Sequence, residues 1–482
     1  MQDAGYKMQE ARCRIQDTRS RILHLASWLH PGCILHPESC ILKLKLVDLP
    51  KQSFYTPFSV KGGFAGSLME DPGARIDIRL LDELRRYGEF DVIQCFSCGH
   101  CTAVCNLVKP GEAFPRRVIR YAVLGLRDQL AAAKAVWSCY YCGECTAACP
   151  RQATPGQFMD AARRYFIVQN DVTTLSRRFY TSPGFTWTAM TILAVFLALL
   201  FFATGGRMVT ERPAFFEFMN YTFLHYLGYA VMGLVGLVFL LNFGNMARSI
   251  MKAFPRAPAF SLGSWARDSV LAVMDVVQEL ALQNRFDDCK VTKTGTPEPW
   301  YLSRRVMHMS IMWGFLGLLG ATTFDFLFKE PGSHVPLYYP ARLLGTSAGL
   351  LLLYGTSLAL WLRRERKGGV SFEKSYLSDW LLLWLLWAIT LSGYLTEIIV
   401  YLPFGFFLGY MIFLVHTILA LELMLLVPFT KFSHVIYRPV ALYLHALLLR
   451  RRARTMPLNW SASRYHPSGA APSPSAPGNT GT

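Results

Sequence analysis

Charge is scarce in this sequence: 17% of its 482 residues are Asp, Glu, Lys or Arg, whereas 52% are hydrophobic and 14% aromatic. That balance excludes a disordered chain and an ordinary soluble domain. Acidic residues are the scarcer kind, 32 against 49 Lys and Arg, for a formal net charge of +17. Such an excess would suit a nucleic-acid binder, but basic loops on one side of a multi-span membrane protein produce it too, and the charge pattern below favours the membrane over nucleic acid. A secretory leader is also missing. Residues 1–68 carry Arg12, Arg14, Arg19 and Arg21 and only short apolar stretches, with no long h-region followed by a small-residue cleavage site. They are expected to form a poorly ordered extension in which Cys13, Cys33 and Cys40 lack a ligand pattern, and Met69 offers an alternative start.

What the sequence does have is long apolar runs. Six occur near 185–204, 222–243, 306–328, 341–362, 378–401 and 409–429. About 20 residues at 1.5 Å each cross a hydrocarbon core of about 30 Å. Arg248, Lys252, Arg256 and Arg267 follow the second run, Arg363, Arg364, Arg366 and Lys367 the fourth, and Lys431, Arg438 and Arg450 to Arg452 the sixth. The opposite loops carry chiefly Arg207, Arg212, Lys329 and Arg342, so both termini are expected in the cytoplasm. Between the second and third runs, Val270, Val273, Met274, Val277 and Leu280 recur at helical spacing, which predicts a helix on the membrane surface or under the cysteine-rich region. The Pro, Ser, Gly and Ala of residues 450–482 predict a disordered tail.

Eight of the twelve cysteines fall in two runs of one spacing, Cys95-x2-Cys98-x2-Cys101-x3-Cys105 and Cys139-x2-Cys142-x2-Cys145-x3-Cys149-Pro150. This spacing wraps three thiolates around one cubane and sends the fourth to its neighbour. Two [4Fe–4S] clusters follow, one on Cys95, Cys98, Cys101 and Cys149, the other on Cys139, Cys142, Cys145 and Cys105. Zinc sites usually combine separated Cys pairs instead, and a reducing cytoplasm disfavours disulfides. His100 reads as a neighbour of the first site, and Cys289 as a free thiol. Between the runs, Val118, Ile119, Ala122, Val123 and Leu126 recur on one helical face after Pro115, and 158–168 reads as another helix.

Four histidines sit in or beside apolar runs, where an ionisable ring suggests function. His308 and His434 belong to the inner face, His225 and His416 to the outer half. On one continuous helix, the 18 residues from His416 to His434 would make five turns and separate the rings by about 27 Å, suiting two stacked haems with bis-histidine ligation. His24, His30, His36, His334, His445 and His466 suggest nothing of the kind.

These residues carry a resemblance. The stretch 95–168 resembles the small iron–sulfur subunit of heterodisulfide reductase. Residues 306–442 resemble the cytochrome b subunit shared by that enzyme and respiratory nitrate reductase, most specifically from His416 through Pro428-Phe-Thr-Lys-Phe-Ser-His434-Val-Ile-Tyr-Arg-Pro439. Their fusion over about 76–449 is similar to the family of C subunits of quinone-interacting membrane-bound oxidoreductase complexes. The resemblance implies haem b, a menaquinone-type substrate, and cytoplasmic flavoprotein iron–sulfur subunits as partners in sulfur metabolism. It departs in one place: nitrate reductase carries a second histidine ten residues along the helix matching the third run, where this chain has Leu318. The outer haem would need His225 or be absent.

The expectation is therefore an all-α chain: an extension (1–68), a helical dicluster ferredoxin-like domain (69–178), a six-helix transmembrane cytochrome b bundle (179–449) with a cytoplasmic loop at 244–305, and the tail. It would conduct electrons between quinone and a cytoplasmic oxidoreductase from the inner membrane. Glu397, Asp325 and Glu422 are candidates for proton exchange at the quinone, because a carboxylate in lipid is costly unless used or paired. A membrane anchor, or a redox sensor or transporter with metal-bound cysteines and no quinone chemistry, is the alternative.

Overall fold

The computed structural model describes residues 76–108, 114–209, 214–252, 262–284, 286, 299–328, 336, 338–366, 375–402 and 406–455. The expectations for the 1–68 extension, Cys289 and the histidines at 24, 30, 36, 334 and 466 lie outside them. The described residues are helical, with a single isolated bridge between Ile76 and Leu126 and no strand among them.

The cysteine-rich part contains α1 (Leu80–Arg85), α2 (His100–Ala103), α3 (Arg116–Val123), α4 (Arg127–Ala131), α5 (Lys134–Ser138), α6 (Glu144–Ala147) and α7 (Pro155–Asn170). Its centre is α7, which starts with Pro155, where a missing N–H costs nothing. Almost every side chain of α7 is buried, including Phe158, Met159, Tyr165 and Ile167. Around it pack Leu80 and Leu84 of α1, Val118, Ile119 and Ala122 of α3, and Trp137 of α5. Val123, expected on the same face as its α3 neighbours, is exposed instead. The helix ends there, because Gly125 turns with φ 70° where a Cβ would strike the Asp77 backbone. Arg127 ties this corner down by bonding Asp77, Glu83 (2.8 Å) and Tyr165.

After α8 (Leu175–Thr181), Ser182 breaks the chain and accepts the Phe185 N–H, so the step into the bundle comes a few residues later than the expected boundary at 178. The bundle comprises α9 (Pro183–Thr204), a short α10 (Phe215–Phe218), α11 (Tyr221–Lys252), α12 (Leu262–Leu282), α13 (Arg304–Phe328), α14 (Pro340–Arg364), α15 (Leu377–Ile399), α16 (Phe406–Leu426) and α17 (His434–Thr455). Seven of these, all but α10 and α12, are long and apolar enough to cross a membrane, rather than the six expected. Most of their apolar surface faces outward: Ile192, Leu199, Leu240, Leu350 and Trp384 are all exposed. A soluble protein does not display apolar surface on this scale, so lipid is its natural covering.

The additional helix is α17, the least hydrophobic of the seven. It packs on α12 and α5, with Trp137 stacked on Tyr437 at 6.0 Å and Arg438 paired to Glu279 at 3.7 Å. These contacts join it to the cysteine-rich part. It also runs to Thr455, so 450–455 are helical and only 456–482 of the expected tail lie outside the described residues. The α12 helix lies beneath the cysteine-rich part, with Asp268, Ala272 and Val276 buried. Val270, Val273, Met274 and Val277, its apolar stripe, point outward.

Candidate functional site: two cysteine cavities and a line of histidines

The two cysteine runs fold as copies of one another. Between the first two cysteines of each, a residue with positive φ (Ser97, 56°; Tyr141, 52°) aims its N–H at the preceding sulfur, 3.4 Å from Cys95 Sγ and 3.3 Å from Cys139 Sγ. Gly99 (φ 87°) and Gly143 (φ 93°) then open α2 and α6. At such angles a Cβ costs roughly 1–2 kcal/mol, which explains glycine at both places.

One cavity is lined by Cys95, Cys98, Cys101 and Cys149. A second is lined by Cys105, Cys139, Cys142 and Cys145. Each lining combines three thiols of one run with the last thiol of the other. No three Cys, His, Asp or Glu side chains among the described residues converge closely enough to hold a single metal ion. Four thiols facing one cavity are the donor set that a [4Fe–4S] cluster takes. Burial pushes the Cys105 thiol up to about 11 and raises Cys101 and Cys145 as well, so these sulfurs hold their protons unless a metal displaces them.

The surroundings differ. Around the first cavity Cys98, Ile93 and Phe96 are exposed, Arg151 lies over the Phe96 ring at 4.3 Å, and Arg116 donates to the Ser97 carbonyl. Around the second, Cys139, Tyr140 and Tyr141 are buried, and Arg163 donates to the carbonyls of Val136 (3.0 Å) and Cys139 (2.6 Å).

Four sequence-predicted histidines each engage Nδ1 with an oxygen acceptor. His225 bonds the Tyr221 carbonyl (2.7 Å), His308 the Gln283 Oε1 (2.9 Å), His416 the Ile389 carbonyl (3.1 Å) and His434 the Lys431 carbonyl (2.5 Å). A donor at Nδ1 fixes the neutral tautomer in which Nε2 is free to accept or ligate. His308 and His434 lie within electrostatic reach of each other, and Phe315 packs on Phe432 at 5.0 Å beside them. The third apolar helix therefore begins near the end of the sixth, as the sequence implies. His416 and His434 do not share a helix: α16 stops at Leu426, before Pro428, and a 3₁₀ turn at Lys431–Ser433 precedes α17. The expected five-turn register does not apply. α11 and α16 adjoin, but His225 stacks on Phe326 of α13 (5.0 Å), while His416 faces α15, where a Cβ on Gly393 would come within 3.1 Å of its ring. His445 is buried.

The carboxylates also separate. Glu397 pairs with Arg342 at 3.5 Å, Asp325 lies near Tyr221, and Glu422 is buried with Oε1 lacking a protein partner. Sequence reasoning missed Asp379. Buried at the start of α15, it takes Lys431 (2.6 Å), Arg164 of α7 (3.3 Å) and Arg363 of α14 (3.5 Å). Arg164 also covers the Tyr376 ring at 4.0 Å and bonds Asp160 and the Tyr87 carbonyl. An acidic residue at a helix start among so many basic loop residues was the available signal.

Residues 91–153 match the family described as 4Fe-4S dicluster domain. The chain is also similar to a protein of Archaeoglobus profundus described as like the C subunit of heterodisulfide reductase, 30% identical over 98 residues, which are 20% of this chain and 52% of that protein. The chain thus spans about half the length of this curated relative. No solved structure matches. The dicluster match supports iron–sulfur clusters in this region, and together with the long apolar helices it points to membrane-associated electron transfer by an oxidoreductase-type subunit.

Proposed function

We propose that the chain is the electron-transfer subunit of a quinone-dependent oxidoreductase complex, linking a menaquinone-type pool through haem b and two [4Fe–4S] clusters to cytoplasmic flavoprotein iron–sulfur subunits. It corresponds to the C subunit of quinone-interacting membrane-bound oxidoreductases. The observation that carries the reading is the pair of cavities, each ringed by three thiols of one run and one of the other. Clusters held there would supply one-electron steps that side chains cannot.

On this reading, Cys95, Cys98, Cys101 and Cys149 hold one cluster, and Cys139, Cys142, Cys145 and Cys105 the other. His308 and His434 would hold an inner haem and His225 and His416 an outer one. The Nδ1 bonds orient all four rings and leave Nε2 for iron. Glu422, whose buried oxygen lacks a partner, is the carboxylate best suited to hold a proton during quinol–quinone interconversion, ahead of the paired Glu397 and of Asp325. The basic loops support a cytoplasmic position, at the inner membrane, for the cysteine-rich domain and, because α17 packs on α12 and α5 rather than crossing, for both termini. The heterodisulfide reductase likeness supports assembly with further subunits.

The test is to add a menaquinol analogue to the purified full chain. Low-spin haem bands should appear on reduction, and cluster absorption should bleach with them. His225→Ala should lower haem content by half and leave cluster content intact. A chain that binds clusters but no haem would favour the anchor or sensor reading instead.

A further inference from the structure

Nothing in the repeated cysteine spacing says which cavity communicates with the membrane, but the packing does. Residues 137–141, which include the first cysteine of the second run, touch the bundle at several points. Tyr140 packs edge-to-face on Phe286 with centroids 4.6 Å apart, and Phe286 packs in turn on His308 at 5.3 Å. Arg438 of α17 covers the other side of Tyr140 at 4.3 Å, and the Tyr140 hydroxyl donates to Glu279 of α12 (2.8 Å). Arg304, at the start of α13, donates to the Tyr141 carbonyl, and Trp137 stacks on Tyr437, one turn from His434. The equivalent residues of the first run, Phe96 and Ser97, meet Arg151 and Arg116 of their own domain, and Phe96 is exposed.

We propose, building on the electron-transfer reading above, that Tyr140 and Phe286 are positioning residues that bridge the Cys105/Cys139/Cys142/Cys145 site to His308, making that site the membrane-side relay and the Cys95/Cys98/Cys101/Cys149 site the port for the soluble partner. These side chains would serve a single-electron exchange between a cluster held at that site and an iron held at His308, in which one centre would gain the electron that the other loses and no bond or proton would move. Tunnelling falls steeply with the gap between centres. Two rings in van der Waals contact fill that gap with covalent and packed atoms, and exclude the water that would otherwise enter.

The experiment uses the full chain in detergent, with the clusters prereduced and haem reduction followed by stopped flow. Phe286→Ala and Tyr140→Leu should slow haem reduction by about tenfold or more, with iron, sulfide and haem contents unchanged. Tyr140→Phe keeps the ring and should stay near the parent rate. An unchanged rate in both truncated variants, with all centres present, would overturn the bridge. As an independent readout that needs no variant, a water-soluble paramagnetic relaxant should speed the electron-spin relaxation of one cluster strongly and the other weakly. Equal effects on the two would overturn the port assignment. A parent chain without haem would instead remove the electron-transfer reading itself, and the bridge with it.

Discussion

The two cysteine runs share spacing, left-handed turn residues and N–H to sulfur bonds, yet Phe96 and Cys98 of the first are exposed, while the second is flanked by buried Tyr140 and Tyr141, by Arg163 and by the bundle. Local sequence therefore specifies how each turn around the thiols is built, while only the packing of distant helices gives the two different surroundings. In the first run the residues beside the cysteines, Phe96 and His100, are left exposed. In the second, their counterparts Tyr140 and Glu144 are drawn inward.

The largest effect should come from exchanging serine for one thiol in each run. Cys139→Ser removes a buried ligand from the core and should strip the full chain of most of its about eight cluster irons. Cys98→Ser, at the exposed rim, should leave about half. Iron and labile-sulfide analysis of the two variants reads this directly, and equal losses would break the contrast.

A smaller effect should follow from cutting the tie between the cysteine-rich part and the bundle. Asp379→Leu leaves Arg164 and Arg363 buried without their shared acid, and loss of one partner from such a group costs roughly 3–5 kcal/mol. Thermal unfolding in detergent should show this destabilisation. Relaxant access to the second cluster should rise if the tie helps to bury it, and a variant as stable as the parent would show that the tie matters little.

The smallest effect should be a response to acid at the surface corner. The Arg127 side-chain bond holds the Asp77 carboxyl below its ordinary value, so this pairing stabilises the fold above the unfolded carboxylate range and its contribution is lost as pH falls through the lower folded value. Asp77→Asn should flatten the stability profile slightly below pH of about 4. Monitoring intrinsic tryptophan fluorescence during unfolding at a series of pH values would detect it, and identical acid profiles for the two proteins would remove Asp77 from the account.

Much of this architecture was legible in the sequence because its signals are local. Cysteine spacing marked out the region that matches a dicluster domain, and apolar run length foretold six of the seven long helices. The seventh was hidden because α17 is only weakly apolar and carries Arg438 and Arg450, so it reads as a basic loop. Its burial depends on Glu279, Asp275 and Trp137, which are remote in sequence. The 18-residue interval from His416 to His434 misled because Pro428 ends the helix that would have carried the register. Asp379 escaped notice for the same reason that it matters: its three cations come from α7, the end of α14 and the turn after α16, and no sequence window contains them together.

The most direct measurement is the electron paramagnetic resonance spectrum of the full chain, oxidised and then dithionite-reduced, with iron, sulfide and haem quantified on the same sample. The account predicts a low-spin ferric haem signal in the oxidised state, and two magnetically interacting [4Fe–4S] signals in the reduced state. Zinc without labile sulfide, or clusters with no low-spin haem beside them, would contradict it.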